Sequence, residues 1–365
     1  MPIVTTPYLI ARFVITLTAL YALRAVAGNI GLLDFPGGRK THLSATPLSG
    51  GLGIFAGLLL ISLSFPPVLS SFAPLLTLSA LVLFIGTIDD LNELKPSVRI
   101  IGHVLIALLM AVGADIQLRS MGNLLYFGDI QTGWLAIPLT LFATLGVINA
   151  INMCDGIDGL SGGLVVVALG SVTVLAWAGG AFLLVTFVSL IICSILAFLS
   201  MNFRRPWNKK ALVFLGDAGS TMLGFIIAWL FIEYSQGSEA LFAPVHALWF
   251  VAIPLIDTVT LLFRRPMQGR SPFAAGNDHL HHHLLSRGFS VSQVVLMLLT
   301  ASVLFASVGV IGYFYEISES LLFLAFLAVF LLYFFSGQRL AKFCAEGQPQ
   351  DQSKNQPKAG PLYNS

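Results

Sequence analysis

Apolar runs of about 17–22 residues recur along almost the whole of this 365-residue chain, each long enough to cross a hydrocarbon layer roughly 30 Å thick. A water-soluble fold would need a polar face on every helix, and barrel strands would alternate polar with apolar residues; these runs do neither. Only 10% of the residues are charged, against about 25% in an ordinary soluble domain. The expectation is an all-α polytopic membrane protein, a bundle of about 11 transmembrane helices with active-site loops on the cytoplasmic side. The spans fall near 8–27, 49–68, 72–88, 98–114, 134–151, 160–178, 181–200, 216–234, 245–263, 291–314 and 319–336. The first reads as a retained span, because it lacks a small-residue cleavage site and further spans follow directly.

Every Lys and Arg except Arg12 and Arg119 falls in segments that alternate along the chain as one membrane face must. By the inside-positive bias that face is cytoplasmic, the N-terminus is outside and the C-terminus inside. A net charge of +2 gives no reason to expect nucleic acid. Cys154, Cys193 and Cys344 have no CxxC spacing, so free thiols are expected rather than a disulfide or a zinc site. No inter-span stretch is long enough for a soluble domain, which leaves a membrane domain over 1–338 and a polar tail over 339–365 too poor in apolar residues to order itself.

Five polar clusters interrupt the apolar pattern, all assigned by hydropathy to the cytoplasmic side. Asp89-Asp90 closes a span; a solvated helix end is the plain alternative for the pair alone. Asn152-Met-Cys-Asp155-Gly156-Ile-Asp158 spaces three oxygen-bearing side chains beside glycines, a set suited to a hard divalent cation or to ribose and base groups; an Asx-rich turn would look similar. Phe214-Leu-Gly-Asp217 opens a span, where Asp217 is either a helix cap or a cation ligand and Phe214 offers a face for a base. Arg264-Arg265 follows a span, as the inside-positive bias alone would explain. The group His279, His281, His282 and His283 lies a few residues on, and with Asp and Asn nearby rather than Cys it favours phosphate oxygens over a transition metal. Asp257 lies inside a span, as a partner of Arg264 or as part of a site.

Taken with Gly31-Leu-Leu-Asp34-Phe-Pro36, Arg39-Lys40-Thr-His42 and Gly269-Arg-Ser-Pro-Phe273, these motifs resemble, in order and spacing over about residues 10–340, the polyprenyl-phosphate N-acetylhexosamine-1-phosphate transferases. The branch most resembled is the bacterial undecaprenyl-phosphate N-acetylglucosaminyl-1-phosphate transferases, which begin O-antigen and related envelope polysaccharides. The resemblance implies a bacterial inner-membrane enzyme joining a UDP-N-acetylhexosamine to undecaprenyl phosphate with Mg²⁺, or Mn²⁺ in its place. It implies Asp217 and Asn152 as metal ligands, Asp158 and Phe214 around the uracil, and Asp155 and Asn202 as support for the nucleotide. Asp89 and Asp90 would act on the lipid phosphate or position the metal. Arg264, Arg265, His279, His281 and His282 would face the diphosphate, with Lys40, His42 and Asp257 as a second tier. Glu93 stands where the muramoyl-pentapeptide branch carries a Lys, which argues against a peptidoglycan substrate.

GlcNAc rests on the resemblance; GalNAc, FucNAc and QuiNAc are the alternatives, and a homodimer is compatible with the sequence. A secondary transporter is the rival of another class. It would show polar groups at mid-membrane on several spans and internal symmetry, whereas here the clusters gather at one face and no repeat is seen.

Overall fold

The computed structural model describes residues 6–35, 45–204, 210–271, 276 and 278–346. Lys40 and His42, and the tail beyond 346, lie outside the described residues. Among the described residues thirteen α-helices make up most of it: α1 (Thr6–Val26), α2 (Gly50–Ser62), α3 (Pro66–Asn92), α4 (Pro96–Leu108), α5 (Ala136–Met153), α6 (Leu160–Ala178), α7 (Phe182–Asn202), α8 (Gly216–Glu233), α9 (Pro244–Phe250), α10 (Ala252–Met267), α11 (Leu280–Ser286), α12 (Val291–Phe314) and α13 (Glu319–Glu346). Two short strands, β1 (Leu33–Asp34) and β2 (Thr46–Pro47), pair antiparallel before α2.

Among the described residues nine helices are long and apolar enough to cross a membrane, ten if α9 and α10 count as one broken span. All eleven expected segments coincide with one of these or with α2. Helix α2 has thirteen residues, about 20 Å of rise, short of a full hydrocarbon layer. The expected span at 245–263 is bent by 89° between α9 and α10. Pro254 explains the break: it has no N–H to give the Phe250 carbonyl, and its ring clashes with that carbonyl. Val251 at the junction leaves helical geometry.

Helix α8 is the axis of the bundle, 89% buried where peripheral α1 is 17% buried. It meets α2, α3, α5 and α6. Its start is approached closely from two sides. A Cβ added to Gly86 of α3 would stand 2.4 Å from the Ala218 Cα, and one added to Gly51 of α2 would stand 2.4 Å from the Gly219 Cα. Without a side chain to hold them apart, the backbones touch, the way small residues bring helices together in lipid. This contact carries the end of α3, one turn beyond Gly86, to the first turn of α8.

On the opposite side of the bundle the segment between α4 and α5 forms a hairpin with a bridge between Ser120 and Gln131. It is clamped to the start of α13, where the Asn123 amide donates to Glu319 and the Tyr126 amide to Ser320, 2.9 and 3.0 Å. Cys154 and Cys193 are free thiols, as expected.

Candidate active site

Three carboxylates meet where α3 ends and α8 begins. Asp90 spends both oxygens on the exposed amides of the α8 N-terminus, accepting from the Asp217 and Ala218 N–H groups at 2.8 and 3.1 Å. It caps the helix from a neighbouring one, satisfying donors that no carbonyl within α8 can reach. Replacing Asp90 by Ala should therefore lower thermal stability in detergent, by about 1 kcal/mol for the lost cap, alongside any loss of turnover; unchanged melting would contradict the capping role.

Asp89 is 5% exposed and also fully engaged. Glu93 ends α3 in the left-handed region, φ 47°, and turns the chain back on itself. The Leu94 amide then donates to Asp89 Oδ1 at 2.8 Å, and the returning helix α4 brings Arg99 over the pair. Arg99 Nη1 donates to Asp89 Oδ2 at 2.6 Å and to Asp217 Oδ2 at 3.0 Å. Arg99 is a site residue that sequence reading missed; its signal is a cation in the first turn of a largely apolar helix.

Asp217 is partly open, its side chain 36% exposed, where Asp89 is buried. Asn152, at the end of α5, donates through Nδ2 to Asp217 Oδ1 at 2.6 Å and to the Ser220 hydroxyl at 2.9 Å. No three acids, histidines or cysteines among the described residues form a closed metal cage. A Mg²⁺ ion does not need one. It favours one or two carboxylates, with substrate phosphates and water completing the shell. Asp217 with the Asn152 amide is such a donor set, and Arg99 already bridges Asp217 and Asp89 as a cation does. Three carboxylates facing one guanidinium leave negative charge for a divalent ion to balance, so the residues present fit the metal.

From Asn152 the chain turns through Asp155 to Asp158. Burial, and then the negative charges of Asp217, Asp90 and Asp158, push the Asp155 carboxyl well above the usual range. Asp158 is paired with Arg204. Asn202 is 5% exposed, and both ends of its amide serve the backbone: Oδ1 accepts from the Gly159 N–H at 2.6 Å and Nδ2 donates to the Val213 carbonyl at 2.8 Å. It staples the 155–159 turn to the 213–215 segment. That segment is fixed in turn by the Phe214 amide on the Pro47 carbonyl, 2.8 Å, and by the Gly50 amide on the Phe214 carbonyl, 2.9 Å. Asn202 therefore positions the 155–159 turn, and Phe214 sits on a backbone held at both its N–H and its carbonyl.

The basic residues form the third wall. Arg265 is 1% exposed and grips Asp278 bidentately, Nε to Oδ2 at 3.1 Å and Nη2 to Oδ1 at 2.7 Å. Burial alone would raise the Asp278 carboxyl, but the Arg265 hydrogen bonds and charge outweigh it and hold it below the usual range. Arg264 is 8% exposed beside it. His281 is 2% exposed, and its Nε2 lies 2.5 Å from where a Gly156 Cβ would stand, joining this wall to the Asp155 turn. Burial first, then His282 and His279, push His281 down to about 3.

His281 Nε2 is buried and meets no hydrogen-bond partner among the described residues. The unfolded chain protonates this histidine near 6.5 and the folded chain only near 3, so between those values falling pH favours unfolding. Replacing His281 by Gln should make the melting temperature less acid-sensitive below pH 6.5. A variant as acid-sensitive as the wild type would show that His281 is not buried neutral.

Residues 72–235 match the family model described as Glycosyl transferase family 4. Among curated proteins, the chain is 35% identical over 326 residues to the undecaprenyl-phosphate alpha-N-acetylglucosaminyl 1-phosphate transferase of Yersinia pestis, covering 89% of each chain. The protein of the same description from Salmonella typhi is 36% identical over 329 residues, again 89% of each. That of Haemophilus influenzae is 35% identical over 319 residues, 87% of this chain and 89% of the relative.

Proposed function

Because the chain belongs to the undecaprenyl-phosphate α-N-acetylglucosaminyl 1-phosphate transferase family, we propose that it transfers N-acetylglucosamine 1-phosphate from UDP-GlcNAc to undecaprenyl phosphate, giving GlcNAc-diphospho-undecaprenol and UMP. The observation that carries this reading is the junction of α3, α5 and α8: a partly exposed Asp217 among acids that are already engaged, at one end of an apolar bundle. A lipid phosphate and a soluble nucleotide sugar can meet only at such a boundary. The inside-positive bias makes that boundary the cytoplasmic face of the bacterial inner membrane, with the N-terminus outside.

In the proposed reaction an oxygen of the lipid phosphate attacks the β-phosphorus of the donor in line. The bond from that phosphorus to the α–β bridging oxygen breaks, and UMP leaves with the electron pair. Transfer of this kind asks for positioning and charge neutralisation. Bound Mg²⁺, held by Asp217 and Asn152, would neutralise diphosphate charge. Arg99 adds a fixed positive charge that bridges Asp89 and Asp217. Asp90 orients the first turn of α8, and with it Asp217. His281, whose buried Nε2 has no partner among the described residues, would offer the donor a hydrogen bond, and Arg264 and Arg265 bring positive charge to the far side. Asp158 and Phe214 are assigned to the uracil, with Asp158 exchanging Arg204 for the base.

The engagement of Asp89 and Asp90 supports direct transfer. A covalent phosphosugar on either would require a carboxylate to abandon two hydrogen bonds, one set of which caps α8. A phosphate monoester, with a second pKa near 6, is already largely dianionic at neutral pH and needs no strong base. We place the product at the start of O-antigen or related envelope polysaccharide synthesis.

The test is UMP release by purified protein with undecaprenyl phosphate and a panel of UDP-sugars, with and without EDTA. UDP-GlcNAc should support release, EDTA should abolish it, and Mg²⁺, or less effectively Mn²⁺, should restore it. Release with UDP-GalNAc or another hexosamine alone would replace the sugar. Release that persists in EDTA would remove the metal.

A further inference from the structure

Asp257 is 4% exposed in α10, six residues after the broken junction at Val251, and three hydrogen bonds from two distant segments converge on it. Tyr333 of α13 donates its hydroxyl to Oδ1 at 2.8 Å. The Leu280 amide donates to the same oxygen at 3.1 Å. His279 Nδ1 stands 2.9 Å from Oδ2. A carboxylate only accepts, so Nδ1 carries the proton and Nε2 is left as the nitrogen that can meet a ligand. Among the described residues Nε2 has no protein partner. The His279 ring lies parallel to His281, 5.6 Å between centroids and 8° apart, and so belongs to the wall that reaches the Asp155 turn.

We propose that Asp257, backed by Tyr333, is a positioning residue that sets the tautomer and direction of His279 so that Nε2 meets a phosphate oxygen of the UDP donor. This rests on the function proposed above. The arrangement explains why an acid is tolerated inside a span, where an isolated carboxylate is costly. It also gives the break at Pro254 a purpose, since the re-aimed helix presents Asp257 to the His279 loop. Of the two sequence expectations for Asp257, a partner of Arg264 or part of a site, the hydrogen bonds to His279 and Leu280 favour the second. Tyr333 extends the site to the last helix, which no motif marked.

The test is a double-mutant cycle read by UDP binding in the presence of Mg²⁺, measured by thermal shift on the detergent-purified full chain, and by turnover. Asp257→Asn and His279→Gln should each weaken UDP binding and lower kcat/KM about 10-fold or more, in the range seen when the partner that orients a working histidine is removed. The double variant should be no worse than His279→Gln alone, because Asp257 acts only through that ring. Tyr333→Phe, which leaves the packing intact, should cost a few-fold in the wild-type background and nothing in the His279→Gln background. Losses that multiply in the double variant, or UDP binding by Asp257→Asn equal to wild type, would overturn the proposal. So would a Tyr333→Phe loss that persists without His279, should Asp257→Asn fail to fold. Failure of the wild type itself to bind UDP would instead overturn the proposed function from which this inference starts.

Discussion

Asp217→Asn should lower lipid-dependent UMP release by on the order of 10³-fold while leaving the protein folded. The substitution is nearly isosteric, so the packing of α8 against α3 survives. What it removes is a partly exposed carboxylate of the junction, with its side chain 36% open and its oxygens shared by Asn152 and Arg99. An amide there cannot balance a divalent ion, and its NH₂ would face the Arg99 or Asn152 donors. Turnover assays on protein that elutes as a single species with wild-type melting would check this. A loss below tenfold would contradict the metal role proposed for Asp217.

Gly86→Val should be nearly as damaging, by about 100-fold or more, although Gly86 makes no polar contact in the site. A Cβ at Gly86 would stand 2.4 Å from the Ala218 Cα, and backbone cannot swing aside as a side chain can. The helices must separate, and Asp89 and Asp90 move with α3. Asp90 then loses the α8 amides, and Arg99 can no longer span from Asp89 to Asp217. Turnover and melting temperature read together check the account, with turnover falling much further than stability. A Gly86→Val enzyme of ordinary activity would mean that the closeness of α3 and α8 is not what assembles the site.

Much of the bundle is legible in the sequence because lipid allows few solutions: a backbone crossing it must satisfy its own hydrogen bonds, so each span declares itself as a long apolar run. What hydropathy does not register is how long a run stays helical. The 49–68 run yields only the thirteen residues of α2, and the 245–263 run breaks in two where Pro254 withdraws its amide. The acids and histidines of the site were visible because polar residues in an apolar chain need a reason. Their pairings were not. Arg99 reaches Asp89 only because Glu93 adopts a left-handed turn, and Tyr333 reaches Asp257 across 76 residues of sequence. Asn202 was legible as support for the nucleotide, but not the form of that support, an amide bonded to the Gly159 and Val213 backbone. Such contacts depend on how helices are placed side by side, and a single sequence carries that information only in its glycines.

The most direct test of the central claim follows the phosphorus. UDP-GlcNAc labelled with ³²P at the β-phosphate is incubated with undecaprenyl phosphate and the purified protein, and the label is partitioned between organic and aqueous phases. Transfer of GlcNAc 1-phosphate predicts lipid-extractable ³²P appearing one for one with UMP, and none with Asp217→Asn. Label that stays in the aqueous phase as UDP while sugar appears in the lipid, or no transfer from well-folded protein, would contradict it.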